Sequence, residues 1–267
     1  MLVCRNGRRG RLKIFCGRPR AGSSPATSTE NLHFFGGFLC LTGLLLRINM
    51  QGKLYAVGVG PGDPELLTLR AVKTIKNADC IACPEKDGDP GLAYRIAEQA
   101  VPEISKKEII LLNFPMRKEE LEDAHNAAAE VLISQLSKGK DIAFLTLGDP
   151  ELYSTFYYVA GLVGARGYEI EIISGITSFS AAAAKLRLPI CLGDEPVTIT
   201  SGEYTNCNGT LIILKAGKKL KEFKTKIEAD GKKAYMVENY GLPDEKIYDN
   251  LDSIPDEAGY FTVLIVK

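Results

Sequence analysis

With 267 residues, 45% hydrophobic and 25% charged side chains, 26 glycines and 13 prolines, the chain has the size and composition of one large or two medium globular domains, which excludes a collagen, a disordered linker and a disulfide mini-scaffold. Its 33 basic and 33 acidic residues cancel overall, but eight basic residues and a single acidic one, Glu30, precede Met50. The body is left with 25 basic against 32 acidic residues, a balance that argues against nucleic acid as a partner.

In chain order, the segment 1–49 shows neither helical nor strand periodicity and is rich in Arg, Gly, Ser and Pro. Its apolar run, Leu32–Leu46, is too short and too glycine-interrupted for a bilayer span of about 20 residues. About 30 polar residues come before that run, an arrangement unlike an export signal. The segment reads either as lying upstream of a translation start at Met50 or as a disordered arm, and in both cases it should bury little surface. Seven scattered cysteines without an export signal imply a reducing, cytoplasmic setting, with no membrane partner. Cys80-Ile81-Ala82-Cys83 has metal spacing but no second pair, so both thiols are expected to be buried in a short strand rather than to hold a metal.

From Met50 short apolar runs alternate with amphipathic stretches, the pattern of βα units on a parallel sheet. Strands are expected at 53–59, 79–82, 108–112, 141–147 and 169–173, and helices at 64–76, 90–100, 119–137, 154–165 and 178–186. After Leu188-Pro189 the rhythm changes to strands at 196–200, 210–214, 234–237 and 260–266 around a helix at 220–229, with hairpin-like turns at 206–209 and 256–259. The expected fold is therefore α/β with two domains. The N-terminal one, 50–188, has a mostly parallel sheet with helices on both faces, and the smaller C-terminal one, 189–267, has a mixed sheet.

The first strand runs into Gly58-Val59-Gly60-Pro61-Gly62-Asp63-Pro64-Glu65, which superficially resembles a dinucleotide loop. That reading fails on chemistry. A pyrophosphate needs a third glycine where Asp63 stands and free N–H groups at a helix start, whereas here Asp63 is a ready N-cap, Pro64 has no N–H and Glu65 already complements the dipole. Either this is only a tight turn, or a ligand without phosphate approaches its backbone. Two further Gly-containing turns, in Thr146-Leu147-Gly148-Asp149-Pro150-Glu151-Leu152-Tyr153-Ser154 and Ser174-Gly175-Ile176-Thr177-Ser178, fall at the carboxyl ends of the fourth and fifth strands, where ligands of open α/β sheets bind, and the three turns together outline one pocket. Asp149 is a turn former by position, a role that Asn would fill equally well through local bonds. His125 is the sole histidine of the body and sits on the polar face of a long helix, so a His-based triad or a zinc cluster cannot be assembled, and triad hydrolysis and metal-water chemistry are both disfavoured.

These segments, together with Leu211-Ile212-Ile213-Leu214-Lys215, resemble the tetrapyrrole (corrin/porphyrin) methylases, and the likeness covers essentially all of 51–267. Gly175–Ala184, Leu188-Pro189 and Gly193-Asp194-Glu195, with Val237-Glu238-Asn239 and Gly241-Leu242-Pro243-Asp244-Glu245, are most similar to the branch that methylates carbon 20 of precorrin-2 or cobalt-factor II in cobalamin biosynthesis. Ser174 stands where that family usually has proline, and 1–49 has no counterpart in it. The resemblance implies S-adenosylmethionine as co-substrate, a tetrapyrrole acceptor, a homodimer and a cleft between two α/β domains. It carries co-substrate contacts to Gly60, Pro61, Leu147, Gly148, Asp149, Leu152, Thr177, Ser178, Lys215, Tyr240 and Thr262. Asp149 and Tyr153 become candidates for removing the proton from the methylated carbon, and Lys215 for pairing with substrate carboxylates. Arg117, Lys118, Lys218, Lys219 and Lys221 are available to the same acidic substrate or are solvated surface charge. The alternatives are another corrinoid or porphyrin C-methyltransferase of uroporphyrinogen III or precorrin-4 type, diphthine synthase, and a non-catalytic nucleotide-binding module.

Overall fold

The computed structural model describes residues 51–115 and 120–267. The segment 1–49, the expected helix start at Glu119 and the candidate substrate ligands Arg117 and Lys118 lie outside them. All the described residues fall in one compact unit.

Five strands, β1 (Leu54–Gly58), β2 (Cys80–Glu85), β3 (Glu108–Asn113), β4 (Ile142–Thr146) and β5 (Ile170–Ile173), form a parallel sheet in the order β3-β2-β4-β1-β5. Their apolar runs are nearly continuous because both faces are covered. Leu54, Ala56, Cys80, Ala82, Ile142 and Phe144 face the helices α3 (Leu121–Leu136) and α4 (Phe156–Ala165). Val57, Ile81, Cys83, Ala143 and Leu145 face α1 (Leu69–Asn77) and α2 (Gly91–Ala100). Phe144 and Phe156 meet edge to face with centroids 5.2 Å apart, and each such buried side chain contributes about 1.5–3 kcal/mol. Cys80 and Cys83 are both fully buried, as the apolar reading of their strand requires, and burial pushes the Cys83 thiol up to about 12.

The second sheet is mixed. It contains β6 (Val197–Ser201), β7 (Thr210–Leu214), β8 (Ala234–Glu238), β9 (Lys246–Tyr248) and β10 (Thr262–Val266) in the order β6-β7-β10-β8-β9. One face is covered by α6 (Leu220–Ala229) through Leu220, Phe223 and Ile227. The other is covered by Ala182 and Ala183 of α5 (Ser178–Lys185), which lies against Ile212, Val237 and Ile265. Thus α5 leaves the first sheet at β5 and packs on the second.

Four details depart from the sequence-based expectation. The helix expected at 64–76 is a 3-10 turn, Pro64–Leu66, followed by an extended break, and α1 then restarts at Leu69, with the Thr68 hydroxyl accepting from Ala71 N at 3.1 Å. The segments 206–209 and 256–259 are not hairpin turns, because β6 and β7 are parallel and β10 lies between β7 and β8. Strand β9 was not foreseen. His125 is half-buried rather than on a polar face, stacked on Tyr158 with centroids 4.9 Å apart.

Candidate active site

The three glycine turns meet backbone to backbone. Gly60 and Gly148 form a two-way bridge, with Gly60 N donating to Gly148 O at 3.2 Å and Gly148 N donating to Gly60 O at 2.8 Å. A Cβ on Gly58 would sit 2.6 Å from Gly175 N and 2.7 Å from Gly148 O, and one on Gly175 would collide with Gly148 O outright. These glycines allow loops to approach each other. Gly62 follows the same logic, since a Cβ there would meet the carbonyl of Tyr240, in the turn that follows β8.

Carboxylates complete the packing. Asp63 Oδ1 accepts from Glu65 N at 2.9 Å, so the expected N-cap exists, on a 3-10 turn. Asp149 Oδ1 accepts from Glu151 N at 2.8 Å, and its Oδ2 accepts from Gly175 N at 2.9 Å. The second bond ties the turn after β4 to the turn after β5, so Asp149 is more than a local turn former, and the premise that Asn would serve equally well does not hold. Ser174, at the start of the turn after β5, donates to Glu151 Oε2 at 3.5 Å.

The facing wall comes from the second sheet, where the carboxyl ends of β7 and β8 lie beside the amino end of β10. Lys215, in a left-handed backbone conformation at φ 57°, donates its N–H to Thr262 O at 3.0 Å and holds its ammonium 5.3 Å from the Tyr260 ring centre. The segment before β10 is held by Glu238, whose Oε1 accepts from Gly259 N at 2.6 Å, and by Asn239 N, which donates to Phe261 O at 2.8 Å. Tyr153, also left-handed at φ 51°, donates its hydroxyl to Ile199 O at 3.3 Å and so reaches from the first sheet to β6. Burial, with the charge of Asp63 adding to it, pushes the Tyr240 phenol up.

Between the walls lies a cleft of about 400 Å³. Pro61, Leu147, Gly148, Asp149, Leu152, Tyr153, Thr177, Ser178, Lys215, Tyr240 and Thr262 all line it, and Gly60 stands behind, bridged to Gly148. Lys218, Lys219 and Lys221 are exposed and do not line the cleft; Lys219 instead donates to Gly202 O at 3.0 Å. Lys215 is the one basic side chain among the described residues that line it. Sequence reasoning placed Thr146 at the pocket without giving it a role, and it missed Pro84, Pro90 and Gly91 at the β2–α2 connection and Tyr260 and Phe261 before β10. The last pair carried a signal, two adjacent aromatics at the mouth of an apolar strand, which was absorbed into the strand itself.

The site suits an amphipathic ligand without phosphate. Its walls include Leu147, Leu152, Val237 and Val263, its polar side chains are mostly neutral, and the Asp63-Pro64 turn offers no anion cradle. Among the described residues no group of His, Cys, Asp and Glu is placed to hold a metal ion, and no helix is long and apolar enough to cross a membrane.

Comparison with known proteins identifies the chain's relatives. A family profile described as Tetrapyrrole (Corrin/Porphyrin) Methylases matches residues 53–255. The chain is 38% identical over 225 residues to a probable cobalt-precorrin-2 C(20)-methyltransferase of Methanocaldococcus jannaschii, covering 80% of this chain and 96% of that one. It is 28% identical over 233 residues to the cobalt-precorrin-2 C(20)-methyltransferase of Salmonella typhimurium, covering 82% and 97%. Its fold is shared with the crystal structure of uroporphyrin-III C-methyltransferase from Thermus thermophilus complexed with S-adenosylhomocysteine, at a TM-score of 0.58 and 20% identity over 80% of this chain and 92% of that one.

Proposed function

The chain belongs to the tetrapyrrole methylases, and on that premise we propose that it transfers a methyl group from S-adenosylmethionine to carbon 20 of precorrin-2 or cobalt-precorrin-2 in cobalamin biosynthesis. One observation carries this reading: residues from two sheets, marked out by resemblance to a family of methylases, line a single cleft built without a phosphate cradle.

S-adenosylmethionine, when bound, supplies a methyl group on a sulfonium, a leaving group that needs no acid. The chain's work is then alignment, holding two large molecules in attack geometry, which is where most of the rate advantage of such a displacement arises. The interlocked turns at Gly60, Gly148 and Gly175 give a rigid floor. Leu147, Leu152, Tyr240 and the hydroxyls of Thr177 and Ser178 are assigned to the methyl donor, and Lys215 to a carboxylate of the acceptor. The new carbon–carbon bond forms as the sulfur–carbon bond breaks, and the acceptor carbon then loses a proton. Asp149, which keeps unused lone pairs beside its two N–H partners, is the side chain assigned to receive it, with Tyr153 beside it in the cleft lining. We assign the protein to the cytoplasm, as a homodimer, which sedimentation of the purified protein tests.

The experiment is direct. Purified protein is incubated with methyl-labelled S-adenosylmethionine and precorrin-2, with and without cobalt, and label at carbon 20 is expected. Calorimetry should show binding of S-adenosylhomocysteine and none of NAD. Label at another carbon, or NAD binding as tight as that of S-adenosylhomocysteine, overturns the proposal.

A further inference from the structure

Three buried side-chain polar atoms among the described residues have no hydrogen-bond partner: His125 Nε2, Gln135 Oε1 and Thr146 Oγ1. Of the three residues, only Thr146 lines the cleft. Its carbonyl is used, accepting from Val59 N at 3.0 Å, but its hydroxyl is enclosed and idle. Valine has the same shape and higher strand propensity, and it carries no unmet polar group. A hydroxyl at this position therefore weakens the empty protein, unless a ligand completes it.

Which ligand follows from the strand. Side chains alternate along β4, so Ile142 and Phe144 face one side, while Ala143 and Leu145 face the other, where Leu147 also packs. Leu147 is among the residues assigned to the methyl donor. Thr146 follows Phe144, on the face where Phe156 packs; both rings line the cleft, and neither is assigned to that donor. The single cation of the cleft, Lys215, stands on the opposite wall. An acceptor that carries several carboxylates and spans the cleft meets a charge on one side and must find neutral donors on the other. We propose that the Thr146 hydroxyl, enclosed in the protein alone, turns outward about χ1 when the acceptor binds and donates a hydrogen bond to a carboxylate arm of the tetrapyrrole, so helping to set which carbon faces the methyl group. This rests on the functional reading above.

The test compares Thr146→Val, which removes only the hydroxyl, with Thr146→Ser, which retains it. Precorrin-2 binding is followed by its absorbance, S-adenosylhomocysteine binding by calorimetry and folding by thermal unfolding. The valine variant is expected to unfold at or above the parent's temperature. Its Kd for precorrin-2 should rise roughly tenfold or more, the effect of losing a hydrogen bond to a charged group, while its Kd for S-adenosylhomocysteine stays within about twofold of the parent's. The serine variant should recover most of the loss. An unchanged precorrin-2 Kd overturns the proposal, as does an equal loss in the valine and serine variants. A loss of S-adenosylhomocysteine affinity as large as that for precorrin-2 overturns it too, by assigning the hydroxyl to the methyl donor. A parent protein that binds precorrin-2 but transfers no methyl group refutes the functional reading alone and leaves Thr146 to be judged on the Kd values. A parent that does not bind precorrin-2 refutes both.

Discussion

Replacing Asp149 with Asn changes one atom and one charge, and the geometry converts that into a defined defect. The carboxylate accepts from two backbone N–H groups, Glu151 N at 2.8 Å on one oxygen and Gly175 N at 2.9 Å on the other. An amide has one acceptor, so whichever N–H it serves, its NH2 group is turned toward the other. One bond is lost and a donor faces a donor. Breaking a hydrogen bond to a charged acceptor costs about 1.5–3 kcal/mol when the remaining partner is enclosed. Because Asp149 is only partly buried, about 1–3 kcal/mol is the fair range. At about 2–4 °C per kcal/mol for a domain of this size, the melting temperature should fall by roughly 2–12 °C. The turn released is the one carrying Thr177 and Ser178, so S-adenosylhomocysteine affinity should fall with it, and methyl transfer as well. Thermal unfolding, calorimetry and a labelled-methyl assay on the same preparation separate the roles. An Asn variant that melts with the parent and binds S-adenosylhomocysteine equally well, yet transfers methyl about 10²-fold more slowly, would refute the brace and leave the carboxylate as a base. A variant indistinguishable in all three assays would refute both roles.

Gly175→Ala drives a Cβ into the Gly148 carbonyl, so it should abolish S-adenosylhomocysteine binding or unfold the protein below 37 °C, a temperature at which destabilisation of several kcal/mol is enough; a variant that binds normally would show that the turns are not interlocked. Thr68→Ala removes the cap that restarts α1 after the break at Leu67 and should cost about 1 kcal/mol, or roughly 2–4 °C in melting temperature, with methyl transfer at 25 °C unaffected. The Lys53 ammonium, with Arg70 adding to it, holds the Glu171 carboxyl below its usual range. That contribution is present above the unfolded carboxylate pKa of about 4.3 and is lost as pH falls through the lower folded value. The melting temperatures of the parent and Glu171→Gln should therefore differ at pH 7 and converge in acid, and a constant difference down to pH 3 would contradict the assignment. Residues 1–49 show no periodic apolar face, and a chain starting at Met50 is expected to melt with the full one; a loss of several degrees on truncation would make that segment part of the fold.

The features legible in the sequence are those that a segment must satisfy by itself. β4 is apolar on both faces, as any strand covered by helices on both sides must be, and its pattern could be read without knowing its neighbours. The Asp63 cap and the missing third glycine were readable for the same reason, since cap and anion site compete for the same few N–H groups. What escaped depends on a second segment. The break at Leu67 continues an apolar pattern and is marked only by Thr68, a cap in mid-run. The segment 206–209 has the composition of a hairpin turn, but strand direction is decided by β10, which inserts beside β7 and leaves β6 to pair parallel at the edge. Two of the three residues of β9 are exposed, and its existence is set by β8. The same division runs through the site. Turns at the carboxyl ends of strands could be found from local spacing, and they form one wall. The facing aromatics Tyr260 and Phe261 become lining only because Glu238 and Asn239 hold the segment before β10 to the end of β8. Asp149 stands on the boundary between the two classes, its bond to Glu151 being local and its bond to Gly175 spanning 26 positions. A turn former read from its neighbours is therefore, in the folded chain, the pin between the turns that follow β4 and β5.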